Sequence, residues 1–238
     1  MVAAKKSFPV LATVVTFVAV VIMLNLGLWQ LDRMEQKEQR LNTLMQRQAQ
    51  SSIDLLSLSD ETQGLADIPV RFVGTPMSNQ YLLLDNRIYN GTVGYEVLVL
   101  VETNAGVVLV NYGWIEAGES RQVLPTVVIP SGQQEFAGNV VEPSDNPMIR
   151  ETIRRIDAYP AVIQQIDIPL LERLTGETLL PYIVSREPQS TDPYVRNWQP
   201  VVMPPAKHMG YAIQWFGLAI AATLIYLFAV FKRKSSRD

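Results

Sequence analysis

The sequence predicts an α+β fold in which two transmembrane helices flank one antiparallel, β-rich extracytoplasmic domain with a few helices. Two observations carry this prediction. Residues 7–31 and 209–231 contain no Asp, Glu, Lys or Arg, and each run is longer than the ~20 residues that cross a bilayer as a helix. Between them, short apolar segments alternate with polar residues and with turn signals, which is the pattern of a sheet.

The first predicted element is a transmembrane helix over residues 7–31, which follows a cytoplasmic tail over residues 1–6. A cleaved signal peptide would have a shorter apolar region and a small-residue cleavage site. Here the apolar run continues into the polar residues at 29–33, so we expect a permanent anchor. The second transmembrane helix covers residues 208–231, and residues 232–238 form a second cytoplasmic tail.

The charges predict the orientation of both spans. Residues 32–207 contain 14 Lys and Arg against 22 Asp and Glu, whereas the basic residues outside this range lie at Lys5, Lys6, Lys232, Arg233, Lys234 and Arg237. By the positive-inside rule, both ends lie in the cytoplasm and residues 32–207 in the periplasm. The six residues before the first span are too few for a transit peptide, so we expect a bacterial inner membrane. The acidic domain disfavours a nucleic-acid partner.

The extracytoplasmic domain, residues 32–207, begins with a predicted helical stalk over residues 32–50. Helices are also predicted at 158–166 and 170–174. The regular spacing of the strand patterns predicts an antiparallel meander or a small barrel. The predicted strands cover residues 70–74, 81–88, 94–101, 107–115, 123–129, 136–142, 179–185 and 198–203.

The residue counts exclude most catalytic and metal sites. The chain has no cysteine and a single histidine, His208, so disulfides, cysteine nucleophiles, iron–sulfur clusters and Cys/His copper sites are excluded. A Ser–Lys dyad would need Lys37 or Lys207, and neither lies near a signature serine motif. Gly91 and Gly94 lie between two strands, which indicates a turn and not a phosphate loop. We therefore expect no enzymatic activity and no catalytic residue.

The start of the second span carries the candidate site. At helical spacing, His208, Tyr211, Ala212 and Trp215 share one face. Two interpretations stay open: an interfacial aromatic belt in which the histidine binds nothing, and an axial ligand for a haem embedded in the membrane. Gln214, a polar residue inside the span, is predicted to face the interior.

The end of the first span carries matching residues. Trp29 lies near its outer boundary, and Arg33 and Lys207 are placed to meet anionic groups there, either haem propionates or lipid phosphates. Gly27 of the first span is predicted to pack against Gly217 and Ala221 of the second.

Four segments resemble the surfeit-locus-protein-one family, also called the Shy family. The resemblance extends from about residue 20 to 220 and includes the two-span layout. Tyr112 stands where the family pattern has Arg. The matching segments are LGLWQLDR at 26–33, LDNR at 84–87 with the later Gly91 and Gly94, VLVNYGWI at 108–115 and HMGYAIQWF at 208–216.

This resemblance implies a membrane assembly factor for haem–copper terminal oxidases, above all cytochrome c oxidase, that assists the delivery of haem a to the catalytic subunit. It identifies His208 as the axial ligand of the haem iron. Tyr211, Trp215 and Trp29 would line the macrocycle, and Arg33 or Lys207 would meet its propionates. Expected partners are the oxidase catalytic subunit, haem A synthase, the lipid bilayer and further copies of the chain. The alternative is a haem-independent scaffold that binds oxidase subunits or haem A synthase.

Overall fold

The computed structural model describes residues 10–58, 64–118, 123–143, 148–187, 193–196 and 203–235, with side chains as far as residue 232. The chain divides into two compact units. One consists of the two chain ends, Met1–Thr43 and Gln199–Asp238, and the other of Leu44–Trp198. The predicted tail positions 1–6 and 236–238, and most of the predicted strand at 198–203, lie outside the described residues.

The described residues form three α-helices and seven strands, with a short 3₁₀ helix at Leu55–Ser57. The helices are α1 (Val10–Gln48), α2 (Ile168–Thr175) and α3 (Pro205–Ser235). The strands are β1 (Ile53–Asp54), β2 (Pro69–Tyr89), β3 (Thr92–Thr103), β4 (Gly106–Glu116), β5 (Gln134–Val141), β6 (Ala161–Ile163) and β7 (Leu179–Arg186).

Helices α1 and α3 are both long and apolar enough to cross a membrane, as in a membrane protein. Helix α1 has 39 residues and is therefore about 58 Å long, nearly twice the hydrocarbon thickness of a bilayer. Its charged second half must consequently extend beyond the lipid. The α1 segment belonging to the second unit is fixed there by Leu44, which is buried, and by Arg47, which donates hydrogen bonds to the carbonyls of Gly64 and Ala66.

The strands of the second unit form a closed barrel. Strands β2, β3 and β4 are antiparallel neighbours, β4 pairs with β7 in parallel, and β7 pairs with β5 antiparallel. Strand β5 then pairs with the first half of β2, which closes the ring. Five-stranded Greek-key closure of this kind is the architecture of OB-type barrels. The short strands β1 and β6 join β2 in parallel.

The α+β class is therefore confirmed, but the sheet is mixed and not purely antiparallel. The parallel neighbours β4 and β7 are separated by more than 60 residues, so no hairpin signal in the sequence could reveal their pairing.

Strand β2 is bent, which allows its two halves to pair with different strands. Its register with β3 shifts between Pro76 and Tyr81 and again between Leu84 and Arg87. Irregularities of this type bend a strand and raise its twist. The bend lets one continuous strand pair with β5 at its beginning and with β6 near its end.

The sequence of β3 explains why both of its faces are buried. Val97, Val99 and Val101 pack in one hydrophobic cluster with Val110 and Phe136. Its alternate residues, Leu98 and Leu100, pack in a second cluster that contains residues of α2 and β6. Each such buried side chain contributes about 1.5–3 kcal/mol of hydrophobic stabilisation.

Two predicted elements are wrong. The predicted helix at 158–166 is instead an irregular segment followed by β6, because Pro160 interrupts the helix and Val162 and Ile163 suit a strand beside β2. Residues 123–129 form no strand. They lie against the barrel as extended chain, where Val128 accepts a hydrogen bond from the Tyr194 hydroxyl through its carbonyl. The helix predicted at 170–174 is confirmed as α2.

Candidate functional site

His208 lies in the first turn of α3 and joins this helix to α1. Its Nδ1 atom is 2.7 Å from Oε1 of Gln30 on α1. The histidine is only 7% exposed. Its Nε2 atom is buried and has no hydrogen-bond partner within the part of the chain that the structure describes. An unpaired buried polar atom costs about 1–3 kcal/mol, so this nitrogen requires an explanation.

Contacts at three positions along the helix pair show that α1 and α3 are antiparallel. His208 meets Gln30, Phe216 lies against Gly27, and the hydroxyls of Tyr226 and Thr13 are 2.6 Å apart. Residue numbers thus rise along one helix as they fall along the other. The seam is lined by small residues of α3, since Ala212 and Ala219 are buried.

The predicted site residues come to one side of this helix pair. Each residue turns a helix by about 100°, so Trp29 and Arg33 lie on the same flank of α1 relative to Gln30. The same count on the antiparallel α3 brings Lys207, Tyr211 and Trp215 to the corresponding flank of His208. We call this set of five residues the aromatic flank.

The aromatic flank is accessible and carries positive charge. Trp29 is 48% and Tyr211 43% exposed, whereas Trp215 is half-buried. The guanidinium of Arg33 lies 5.7 Å from the centre of a Trp29 ring and donates a hydrogen bond to Oε1 of Gln36. Lys207 is exposed. Arg33 is thus held beside an aromatic surface, as the haem interpretation requires of a propionate contact.

The opposite side of the seam is closed by Phe216. A Cβ atom on Gly27 would lie 2.6 Å from this ring, so glycine is required for the ring to pack there. The prediction that Gly217 and Ala221 let the helices pack closely is wrong, since no described atom comes within 4 Å of a Cβ atom at Gly217 and Ala221 is exposed. Gln214 is exposed and does not face the interior.

Gln30 is the residue that sequence reasoning missed. In the sequence it stands out only as one of the polar residues at 29–33. A polar side chain in an otherwise uncharged span is itself a signal. Its partner, however, depends on the rotation of two helices, and the two residues lie 178 positions apart in the chain.

The other family-like segments meet at one corner of the barrel. Asn111 on β4 donates a hydrogen bond from Nδ2 to Oε2 of Glu96 on β3, and its Oδ1 accepts one from the Gly113 amide. Arg87 on β2 lies 3.9 Å from the same Glu96 carboxylate. The indole of Trp114 donates to the Arg87 carbonyl at 3.0 Å. These residues hold three strands together, which is a structural role.

The turn predicted at Gly91 is confirmed. Asn90 and Gly91 join β2 to β3 with φ values of 48° and 82°. Two consecutive residues with positive φ form the turn that matches the twist of a tight hairpin.

Tyr112, which replaces the arginine of the family pattern, fills the barrel interior. Its ring makes edge contacts with Phe136 and Tyr194. The guanidinium of Arg186, on β7, lies 4.1 Å from the Tyr112 ring centre. A buried guanidinium is therefore present beside position 112, although another strand supplies it.

The described residues contain no group of three or more His, Asp or Glu side chains that could hold a metal ion. His208 and the aromatic flank beside it offer a different set: one imidazole nitrogen, three aromatic side chains and two cations. A macrocycle with a single axial bond needs this kind of set.

Comparison with known proteins gives the family. The model of the SURF1 family matches residues 17–220. A SURF1-like protein of Rickettsia conorii is 24% identical over 230 residues, which cover 92% of this chain and 90% of the relative. A SURF1-like protein of Rickettsia felis is 24% identical over 222 residues, covering 90% and 94%. The family match spans most of the chain and all four segments quoted above, so the chain belongs to the SURF1, or surfeit-locus-protein-one, family.

Proposed function

We propose that this protein is a membrane assembly factor for cytochrome c oxidase, a haem–copper terminal oxidase, and that it assists the delivery of haem a to the catalytic subunit. Membership of the SURF1 family supports the assembly role. The haem role rests on one observation, the buried and unpaired Nε2 of His208 beside the aromatic flank.

The residues fit a haem. A neutral imidazole is a common axial ligand of haem iron, and His208 would supply it. Tyr211, Trp215 and Trp29 would line the macrocycle. Arg33 or Lys207 would bind the propionates through charge-assisted hydrogen bonds. Haem a also carries a long farnesyl tail, which a lipid-facing surface between two spans would accommodate.

The burial of Nε2 suits a carrier better than a permanent haem protein. The atom is shielded before cargo arrives, so side chains around it must move when haem binds. Part of the binding free energy is spent on that movement, which keeps the complex weak enough for transfer.

We further propose that residues 32–207 lie in the periplasm of a bacterium, with both chain ends in the cytoplasm. The barrel would then dock on the oxidase catalytic subunit, and haem A synthase is a further candidate partner. The basic residues that precede the first span and follow the second support this orientation.

The test is to purify the full chain from cells that also make haem A synthase and to record its absorption spectrum. We expect a haem a Soret band that is lost in His208→Ala. Tyr226→Phe is the matched control, because it removes another cross-helix hydrogen bond, to Thr13, and leaves the aromatic flank intact. Haem binding unchanged in His208→Ala would contradict the proposal. A haem-free wild-type protein that still co-purifies with oxidase subunits would support the scaffold alternative.

A further inference from the structure

We propose that Gln30 is the residue that positions His208 as a ligand, by fixing the imidazole in the tautomer that carries its proton on Nδ1. That this tautomer serves to bind haem iron rests on the proposed function. The tautomer itself follows from the orientation of the Gln30 amide, whose Oε1 faces Nδ1.

The assignment begins from the 2.7 Å separation of His208 Nδ1 and Gln30 Oε1. A carbonyl oxygen can only accept a hydrogen bond, so Nδ1 must donate. A neutral imidazole has one proton, and Nε2 therefore keeps its lone pair. This is the nitrogen that is buried and has no partner among the described residues.

The reverse arrangement would have the opposite result. If the amide NH₂ of Gln30 faced Nδ1, it would donate, and the imidazole proton would move to Nε2. A protonated Nε2 cannot bind a metal. The orientation of one amide group thus decides whether His208 is a ligand.

The burial of the pair increases the effect of this bond. His208 is buried and Gln30 is half-buried between α1 and α3, so water is a poor substitute partner. A hydrogen bond from the second imidazole nitrogen also raises the basicity of the ligand nitrogen, and loss of such a partner typically weakens metal binding by ~10–100-fold.

The tautomer can be measured without haem. The chain contains one histidine, so ¹⁵N-histidine labelling of the full protein in lipid nanodiscs, purified without a histidine tag, reports only the two His208 ring nitrogens. We expect Nδ1 protonated and Nε2 unprotonated in the wild type. Gln30→Leu should give a mixture of tautomers. At a pH where the imidazole is neutral, Gln30→Glu should keep the wild-type tautomer, because an ionised carboxylate only accepts.

Two NMR results would overturn the proposal: a proton on Nε2 in the wild type, or an unchanged tautomer in Gln30→Leu. If Gln30→Leu does not fold, the wild-type spectrum still tests the proposal, because a proton on Nε2 there would overturn it.

The second measurement is a haem a titration of the same proteins. Gln30→Leu should bind haem a ~10–100-fold more weakly than wild type. The affinities of Gln30→Glu and of the control Tyr226→Phe should be much closer to the wild-type affinity. Equal affinity of Gln30→Leu and wild type would overturn the positioning role. Failure of the wild type to bind haem would instead overturn the proposed function, while the NMR result would still decide the tautomer.

Discussion

The packing of the Trp114 side chain requires a glycine at position 94. A Cβ atom there would lie 2.5 Å from the Trp114 indole and would also collide with the Ile115 carbonyl. The indole can lie across β3 only because no side chain projects at this point, and its N–H then reaches the Arg87 carbonyl.

We therefore expect Gly94→Ala to lower the free energy of unfolding by about 1–3 kcal/mol, the usual cost of overpacking. Urea denaturation followed by tryptophan fluorescence would measure it. The control is Gly118→Ala, whose Cβ would be 3.4 Å from its nearest neighbour, the Val123 carbonyl, and which should change stability by less than about 0.5 kcal/mol. Equal effects of the two substitutions would contradict the steric explanation.

Residue types alone predicted part of the site. His208 stood out because it is the only imidazole, and the rings and cations near it followed from helical spacing. Gln30 and Phe216 could not be assigned their roles in the same way. Their contacts depend on which faces of two distant helices meet, and a spacing pattern within one helix does not determine that rotation.

At the scale of elements, the packing of α1 against α3 depends on Gly27. An alanine methyl there would overlap the Phe216 ring, so the helices would have to move apart or the ring would have to rotate. Association of helices in lipid relies on such close packing.

Gly27→Ala should thus lower the melting temperature of the full protein in detergent micelles. Gly217→Ala should leave it unchanged or slightly raised, because space is open at that position and alanine favours a helix. The double variant Gly27→Ala with Phe216→Leu should recover part of the loss. A Gly217→Ala effect as large as that of Gly27→Ala would indicate that α3 presents a different face.

The irregular segment before β6 is held by one carboxylate. Oε1 of Glu151 accepts hydrogen bonds from the amides of Thr152 and Ile153, and Oε2 accepts them from Gln164 and Gln165. Four backbone donors thus depend on a single side chain, which fixes this segment to the end of β6.

Glu151→Ala should cost about 2–3 kcal/mol of unfolding free energy, because partly buried donors lose a charged acceptor. Glu135→Ala removes a carboxylate whose exposed ion pair with Arg71 is worth less than about 1 kcal/mol. Chemical denaturation of the two variants gives the comparison directly. A smaller loss for Glu151→Ala than for Glu135→Ala would rule out the anchoring role.

The strands were predictable where their pattern was local. The valine–leucine alternation of β3 and the Asn90–Gly91 turn both indicate a hairpin strand from nearby residues alone. The error at 158–166 has a different origin: a short apolar segment suits a helix or a strand equally, and only its pairing with Leu82 and Leu84 of β2 selects the strand.

For the whole molecule, closure of the barrel was the feature that the sequence could not specify. A meander and a barrel contain the same strands, and they differ only in the pairs that β7 and β5 make with distant neighbours. Closure leaves the long strands without a free edge, which protects a cysteine-free domain from edge-to-edge aggregation.

The orientation of the whole molecule in the membrane can be tested because the chain has no cysteine. Single cysteines are introduced at Asn104, in the exposed β3–β4 turn, and at Ser236, after α3, and spheroplasts are treated with a membrane-impermeant maleimide. Two basic residues precede the first span and four follow the second, so the positive-inside rule predicts that both chain ends stay in the cytoplasm. We therefore expect labelling of Asn104→Cys in intact spheroplasts and of Ser236→Cys only after permeabilisation. Cysteine-free wild type gives the background labelling. The reverse labelling pattern would exclude a periplasmic barrel, and it would therefore also exclude docking on the outer face of the oxidase.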